Sequence, residues 1–253
     1  MEIDPKTPIS PAFSVTEDRL FGTSLLVIQP ADGHRAGTDA VLLAAATPAE
    51  ARRIADLGAA SGVVGLRAAQ LNPEATVTLV ERDAGLAELA WRNIALNGLE
   101  KRATALEADV MGLSRRQDLR DAFDLVLTNP PFMEAGTVRV SPKGNRASAH
   151  VMAAPLDDWV RNAVAILAPK GRLVMIHRAD ALEDAVTAFG RRLGEIRVRF
   201  VHPRADAPAT RLLISARKGS RAPLAVLPPL VLHDEEGRFL PRAAALHRGE
   251  ARL

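Results

Sequence analysis

Three observations predict a doubly wound α/β fold on a mostly parallel sheet. Strand-like and helix-like segments alternate from Ile54 onward. Small-residue loops and Gly or Asn punctuation separate them. The last two β-runs, Ile196 to His202 and Arg211 to Ala216, have only a loop between them, which predicts an antiparallel hairpin closing one sheet edge.

Each element has its own signal. Leu20 to Pro30 reads as β structure around the apolar run Leu25-Leu26-Val27-Ile28, stopped by Pro30 and a turn at Ala31-Asp32-Gly33-His34. Thr38 reads as the N-cap of a helix from Asp39 to about Thr47. Ile54-Ala55-Asp56-Leu57 is the first sheet strand; the loop Gly58 to Gly62 leads from it into a helix reaching about Leu71. Strands at Thr76 to Glu81, Thr104 to Glu107, Phe123 to Thr128 and Arg172 to His177 follow. Helices are expected at Asp83 to Asn97, closed by Gly98, at Leu156 to Leu167 and at Ala181 to Arg192. Trp91 and Trp159 sit among apolar helical neighbours and read as core; Asp157-Asp158 suits the positive end of a helix. Residues 1–34 read as an arm with a β extension, 35–217 as the main domain, and 218–253 as a tail that wraps the surface.

Composition narrows the function. The 253 residues are 47% hydrophobic with 4% aromatic, so the core is expected to be Ala, Val and Leu. No cysteine is present, which excludes disulfides, thiol catalysis and thiolate metal sites. Apolar runs are far shorter than a membrane span and the polar, Pro-rich start lacks a signal-peptide core, so no membrane partner and a cytoplasmic location are expected. The formal charge of +3 is compatible with a polyanionic partner.

Asn129-Pro130-Pro131-Phe132 follows a predicted strand. Two prolines fix two φ angles, remove two donors and hold Asn129 extended. Such a stiff loop holds the Asn129 amide and the Pro130 carbonyl as convergent acceptors for an amino group, with Phe132 as a flat face for a planar ring. Taken alone, the same tripeptide is also ordinary turn chemistry.

Three strand ends supply the parts of an adenosine site. Gly58 and Gly62 let backbone approach a ligand in Asp56-Leu57-Gly58-Ala59-Ala60-Ser61-Gly62. Glu81 lies 19 positions after Gly62, where an acid suits a ribose diol. Asp109 follows the third strand and can accept from an adenine amine, with Val110 against the ring. The loop lacks the Lys-Ser/Thr of a phosphate-binding P-loop and the G-x-G-x-x-G of nicotinamide enzymes.

These residues resemble the class I S-adenosylmethionine-dependent methyltransferases of the N-methylating branch, over roughly Arg35 to Ala216. The resemblance implies a seven-stranded, Rossmann-like sheet with an antiparallel last strand and S-adenosyl-L-methionine as cofactor. In that family a D-L-G-x-G-x-G loop meets the methionine part of the cofactor; this chain has Asp56, Gly58 and Gly62, with Ala60 in place of the middle glycine. The family pattern gives Glu81 to ribose, Asp109 to adenine, and Asn129, Pro130 and Phe132 to catalysis. Gly37-Thr38-Asp39-Ala40-Val41-Leu42-Leu43 and Pro229 to Gly237 are similar to segments of the bacterial tRNA(Val) (adenine-N6)-methyltransferase group, which implies a tRNA substrate and adds Thr38 and Asp39 to the cofactor set. No metal is implied, since the cofactor carries the hard chemistry.

Between Gly136 and His150 a long stretch carries Arg139, Lys143 and Arg146, a candidate grip on RNA phosphates; His150 reads as structural. Arg191, Arg192, Arg197, Arg199 and Arg204 read by default as a solvated basic face. The NPP(Y/F) pattern also serves ribosomal RNA guanine, protein glutamine and DNA adenine, and a small-molecule acceptor or a non-catalytic nucleic-acid-binding pseudoenzyme are the remaining readings.

Overall fold

The computed structural model describes residues 14–32, 35–131 and 156–253. The expected arm at Met1 to Pro11, the Gly33-His34 end of the first turn, and Phe132, Arg139, Lys143, Arg146 and His150 lie outside the described residues.

The parallel core of the sheet is β3 (Arg53–Leu57), β4 (Thr76–Glu81), β5 (Ala103–Glu107), β6 (Phe123–Thr128) and β7 (Leu167–Arg178), in the order β5-β4-β3-β6-β7. β9 (Arg211–Lys218) runs antiparallel to β7, and β8 (Leu193–His202) pairs antiparallel on its outer side. These seven strands form the mostly parallel sheet that the alternation predicts, with β9 reversed. Two short strands, β10 (Ala225–Val226) and β11 (Leu230–Val231), extend the β8 edge in parallel.

The central strands are buried on both faces: Ile54 to Leu57 and Leu125 to Thr128 are all buried, the pattern expected of parallel strands covered by helices. On one face pack α1 (Thr38–Ala45), α2 (Val63–Leu71) and α3 (Ala84–Leu96), joined by α6 (Pro241–His247). The other face takes α4 (Leu156–Ile166) and α5 (Leu182–Gly190). The amino-terminal hairpin of β1 (Val15–Leu20) and β2 (Leu25–Pro30) leans on α3 through two buried-edge amides. Asn93 exchanges hydrogen bonds with both backbone groups of Ile28 (2.7 and 2.8 Å), and Asn97 does the same with Leu26 (3.1 and 2.7 Å). The side chains thereby act as a surrogate strand for β2.

Three local expectations are corrected. Gly37, not Thr38, is the N-cap of α1, and it makes no side-chain cap; Thr38 is the first helical residue and its hydroxyl turns to His247. Trp91 is 41% exposed: it stands at the margin of the buried face of α3, whose flank at Ala87, Ala90 and Ile94 is covered. Trp159 is buried as expected. The strand after α4 starts at Leu167 rather than Arg172. Phe123 pairs with Leu167 and Leu125 with Arg172, so the intervening residues bulge, which accommodates Pro169 and the left-handed Lys170 (φ +65°).

The tail is integrated with the domain. β10 and β11 add to the sheet, α6 packs on α1, and Arg252 donates to the carbonyls of Thr47 and Leu71 and to Asn72 Oδ1. Among the described residues no helix is long and apolar enough to cross a membrane.

Candidate functional site

The chain proceeds outward from β3 through β4 to β5, then returns to place β6 on the opposite side of β3. That reversal opens a crevice at the carboxyl ends of β3 and β6, where ligands bind in open α/β sheets. A cavity of about 360 Å³ occupies it, walled by Gly37, Thr38 and Asp39, by Asp56, Gly58, Ala60 and Ser61, and by Asn129 and Arg211.

The Gly58–Gly62 loop is a sequence of left-handed positions: φ is +71° at Gly58, +48° at Ala60 and +91° at Gly62. Ala60 therefore keeps the backbone conformation that glycine favours, at a cost of about 1 kcal/mol for its Cβ. At Gly62 the φ favours glycine, and a Cβ would come within 2.7 Å of the Leu79 Cδ1 tip, which would have to shift. The amides of Gly58 and Ala59 both donate to Val80 O, at 2.9 and 3.0 Å, which folds the loop over the end of β4. Asn93 reaches the loop from α3 by donating to Ser61 O at 2.9 Å.

Asp56 is 2% exposed, and its Oδ2 accepts from the Gly65 amide at 2.8 Å. Burial pushes its carboxyl up to about 7; the Gly65 hydrogen bond opposes that shift and the nearby Glu81 charge adds to it. Glu81 is also buried, and both its oxygens are engaged: Oε2 accepts from Ala60 at 2.9 Å, Oε1 from Arg82 and Asp83 at 2.8 and 3.0 Å. Asp109 is exposed; Oδ1 accepts from the Met111 amide at 2.9 Å and caps the 3-10 turn Val110–Arg115. Val110 is buried beneath it. Thus Asp56, Gly58, Asn129, Thr38 and Asp39 converge on the cavity wall, while Glu81 buttresses the loop from behind and Asp109 stands at the adjacent strand end.

Asn129 is the first residue beyond β6. Its Oδ1 is buried and accepts no hydrogen bond among the described residues. A buried acceptor left open costs about 1–3 kcal/mol. Thr128, just before it, donates to Leu57 O at 3.0 Å and accepts from Trp159 Nε1 at 2.9 Å, which locks the ends of β3 and β6 to α4. The indole also lies 3.5 Å from where a Cβ on Gly58 would sit, so one side chain supports both the glycine loop and Asn129. Across Pro130 and Pro131 a second cavity of about 490 Å³ opens, bordered by Trp159, His177, Arg178, Asp180 and Asp184. Asn129 thus lines the first cavity, and the two prolines that follow it line the second.

The sequence did not single out Arg211, which donates to both oxygens of Asp39 (3.1 and 2.9 Å) and fixes the cavity lip. It lies 172 residues from Asp39, and only the insertion of β9 beside β7 brings the two together. Asn93 and Asn97 carried a signal: two amides one helical turn apart in an otherwise apolar segment. Most of the basic face is paired internally: Arg191 and Arg192 hold Asp157, Arg197 holds Glu195, and Arg204 lies 3.6 Å from Asp206.

Comparison with known proteins agrees with this geometry. Residues 32–198 match the family model described as the methyltransferase small domain. A tRNA1(Val) (adenine(37)-N6)-methyltransferase of Porphyromonas gingivalis is 29% identical over 223 residues, covering 84% of this chain and 86% of that protein. The enzyme of the same name from Salmonella enteritidis is 36% identical over 115 residues, 45% of this chain and 46% of that one. A solved structure described as a predicted O-methyltransferase of Agrobacterium tumefaciens is 33% identical with a TM-score of 0.71, covering 85% of this chain and 98% of that chain. The Thermus thermophilus 16S rRNA N2 G1207 methyltransferase, solved with AdoMet and guanosine, shares the fold at a TM-score of 0.58 and 22% identity, over 83% of this chain and 52% of its own. The family match over most of the chain, the strand order and the left-handed loop lead to one identity: the chain belongs to the methyltransferase small domain family and is an S-adenosylmethionine-dependent methyltransferase.

Proposed function

We propose that this enzyme methylates an exocyclic amino nitrogen of a nucleobase, with adenine in tRNA as the substrate. The observation that carries the reading is the buried acceptor Asn129 Oδ1, without a hydrogen-bond partner among the described residues, on a residue that lines the cofactor-side cavity. An aromatic amine has N–H groups to donate to that oxygen and to the Pro130 carbonyl. Both contacts would draw its nitrogen out of conjugation and direct the lone pair into the cofactor cavity, so positioning and fixed dipoles supply most of the rate.

S-adenosylmethionine supplies an electrophilic methyl group when bound. The residues present fit it: a glycine-type loop with three left-handed turns, a buried carboxyl at Asp56 and the Thr38–Asp39 lip. Asp56 and the loop would hold the methionine part, Glu81 the ribose side and Asp109 with Val110 the adenine ring. The names of the curated relatives favour tRNA adenine over the other acceptors that NPP(Y/F) motifs serve. In this reading Phe132 stacks on the target base and Arg139, Lys143 and Arg146 hold its flanking phosphates.

The test is transfer of a labelled methyl group to separated tRNA, ribosomal RNA, DNA, protein and small-molecule fractions, followed by nucleoside analysis of the labelled fraction. Label in N6-methyladenosine from tRNA is the expected result. Label confined to protein, to guanine or to a hydroxyl oxygen would overturn it.

A further inference from the structure

A third cavity, with arginines in its wall, lies away from the cofactor crevice, over β7, β9 and β8. It measures about 390 Å³ and its wall includes Arg172, Arg197, Arg199 and Ser215. Arg172 pairs in register with Leu125, four positions before Asn129, so the two sites are about 13 Å apart along the strand direction alone.

Among the described residues, the side-chain charges around this cavity do not balance. Glu195, at the bulge of β8 with φ +53°, is shared by three guanidinium groups: Arg172 and Arg197 at 2.9 Å and Arg217 at 4.0 Å. Those cations hold the Glu195 carboxyl below its ordinary range, Arg172 most strongly. The guanidinium of Arg199, two residues beyond Arg197 on the same side of β8, makes no hydrogen bond or ion pair among the described residues. It is partly buried, and its near charged neighbour is another cation, Arg242; burial first and that repulsion second push its pKa down. Glu50 is the acidic residue of the wall, and it is exposed. Leu253 also borders the cavity and forms no ion pair with Arg199. Partly desolvating a guanidinium without a counter-charge, beside a like charge, costs stability unless an anion completes the group.

We propose that this cavity is a phosphate-binding site, with Arg199 as its main ligand and Arg197 and Ser215 beside it. A tetrahedral oxyanion matches a guanidinium fork flanked by a second cation and a hydroxyl. The phosphate has two possible sources, a nucleic-acid backbone or free phosphate, and the chemistry is shared. The inference is independent of the methyl acceptor, since it rests on charge imbalance rather than on Asn129.

Arg199→Gln tests it, because the variant keeps a polar head and most of the stem. In chloride the variant is expected to be at least as stable as the parent, since an uncompensated charge is removed. Replacing chloride by inorganic phosphate at equal ionic strength should raise the parent's melting temperature and leave the variant's unchanged. Binding of an unmodified tRNA transcript, followed by anisotropy from 50 to 300 mM salt, reads the source. A log–log salt slope shallower by about 1 in the variant, with S-adenosylmethionine affinity unchanged by calorimetry, assigns the site to the RNA backbone. A phosphate-specific shift with identical RNA slopes assigns it to free phosphate. Equal behaviour of parent and variant in both experiments overturns the proposal.

Discussion

The Ala60 amide donates to Glu81 Oε2 at 2.9 Å, so the acid that ends β4 holds the one non-glycine left-handed residue of the cofactor loop in place. The same carboxylate takes the Arg82 and Asp83 amides through its other oxygen. Glu81 is thus a support for the loop, whatever it offers a ligand on top of that. Glu81→Ala leaves three amides to find other partners and should cost about 2 kcal/mol in denaturant unfolding, with weaker S-adenosylmethionine binding. Glu81→Gln retains one acceptor oxygen and should recover part of both losses. Equal stability of Glu81→Ala and the parent would remove the support role.

Ala60→Gly removes a Cβ from a φ of +48°. The relief of about 1 kcal/mol is offset by the greater freedom glycine has in the unfolded chain, so stability should change by less than that amount. Cofactor affinity should stay equal or rise. A loss of affinity above threefold would mean that the Ala60 methyl itself contacts the ligand.

Asn129→Ala should lower turnover by about a hundredfold or more, with the cofactor dissociation constant changed less than threefold. The reason is that Oδ1 is an open acceptor on the wall of the cavity rather than a strut of the fold. Single-turnover kinetics with calorimetry separates the two quantities, and undiminished turnover would sink the role of Asn129.

Asp56 gives the site a pH dependence. Its carboxyl lies near 7 in the folded protein, against an ordinary value of 3.8, so the folded state holds the proton more tightly than the unfolded one. Its contribution to stability is therefore most favourable below about pH 4 and declines as pH rises towards 7. Asp56→Asn keeps an acceptor for the Gly65 amide and should flatten that part of the stability profile. A cationic cofactor would favour the ionised form, so binding near neutral pH should release a proton. Calorimetry in two buffers of different ionisation enthalpy measures it.

His247 ties the carboxyl-terminal helix to the cavity lip. Its Nδ1 lies 2.9 Å from Ala243 O, an acceptor, so Nδ1 carries the hydrogen and Nε2 accepts from Thr38 Oγ1 at 3.3 Å in the neutral ring. Phe239 packs between this ring and His233, with centroids 4.2 and 4.5 Å away. Thr38→Val and His247→Phe should each weaken cofactor binding a few-fold, and the double variant should be no worse than the poorer single one. Additive losses would show that the pair does not act as a unit.

Much of the fold was legible in local chemistry. Alternation, glycine loops and proline stops marked the central strands and most helices within a few residues, and the β8–β9 hairpin was visible as two β-runs without a helix between them. The backbone places of Asp56, Gly58 and Asn129 at strand ends and of Gly62 at a helix start were legible, because conformation and residue type are tightly coupled there. The Thr38 cap was misplaced by one residue, since local signals fix a helix end only to within a residue or two, and the Trp91 core assignment failed because they do not say how far the covered face of a helix extends.

By itself, then, the sequence determined the doubly wound architecture, the glycine-type loop and the stiff Asn129-Pro130-Pro131 turn, since backbone sterics set these within a few residues of chain. Tertiary structure alone decided that Arg211 grips Asp39, that His247 meets Thr38, that Asn93 braces both β2 and the loop, and that Arg199 has no counter-ion among the described residues. The four contacts join residues 32 to 209 positions apart. They exist because β9 inserts beside β7 and the carboxyl-terminal segment returns over α1, and no local pattern encodes which distant charges that packing brings together.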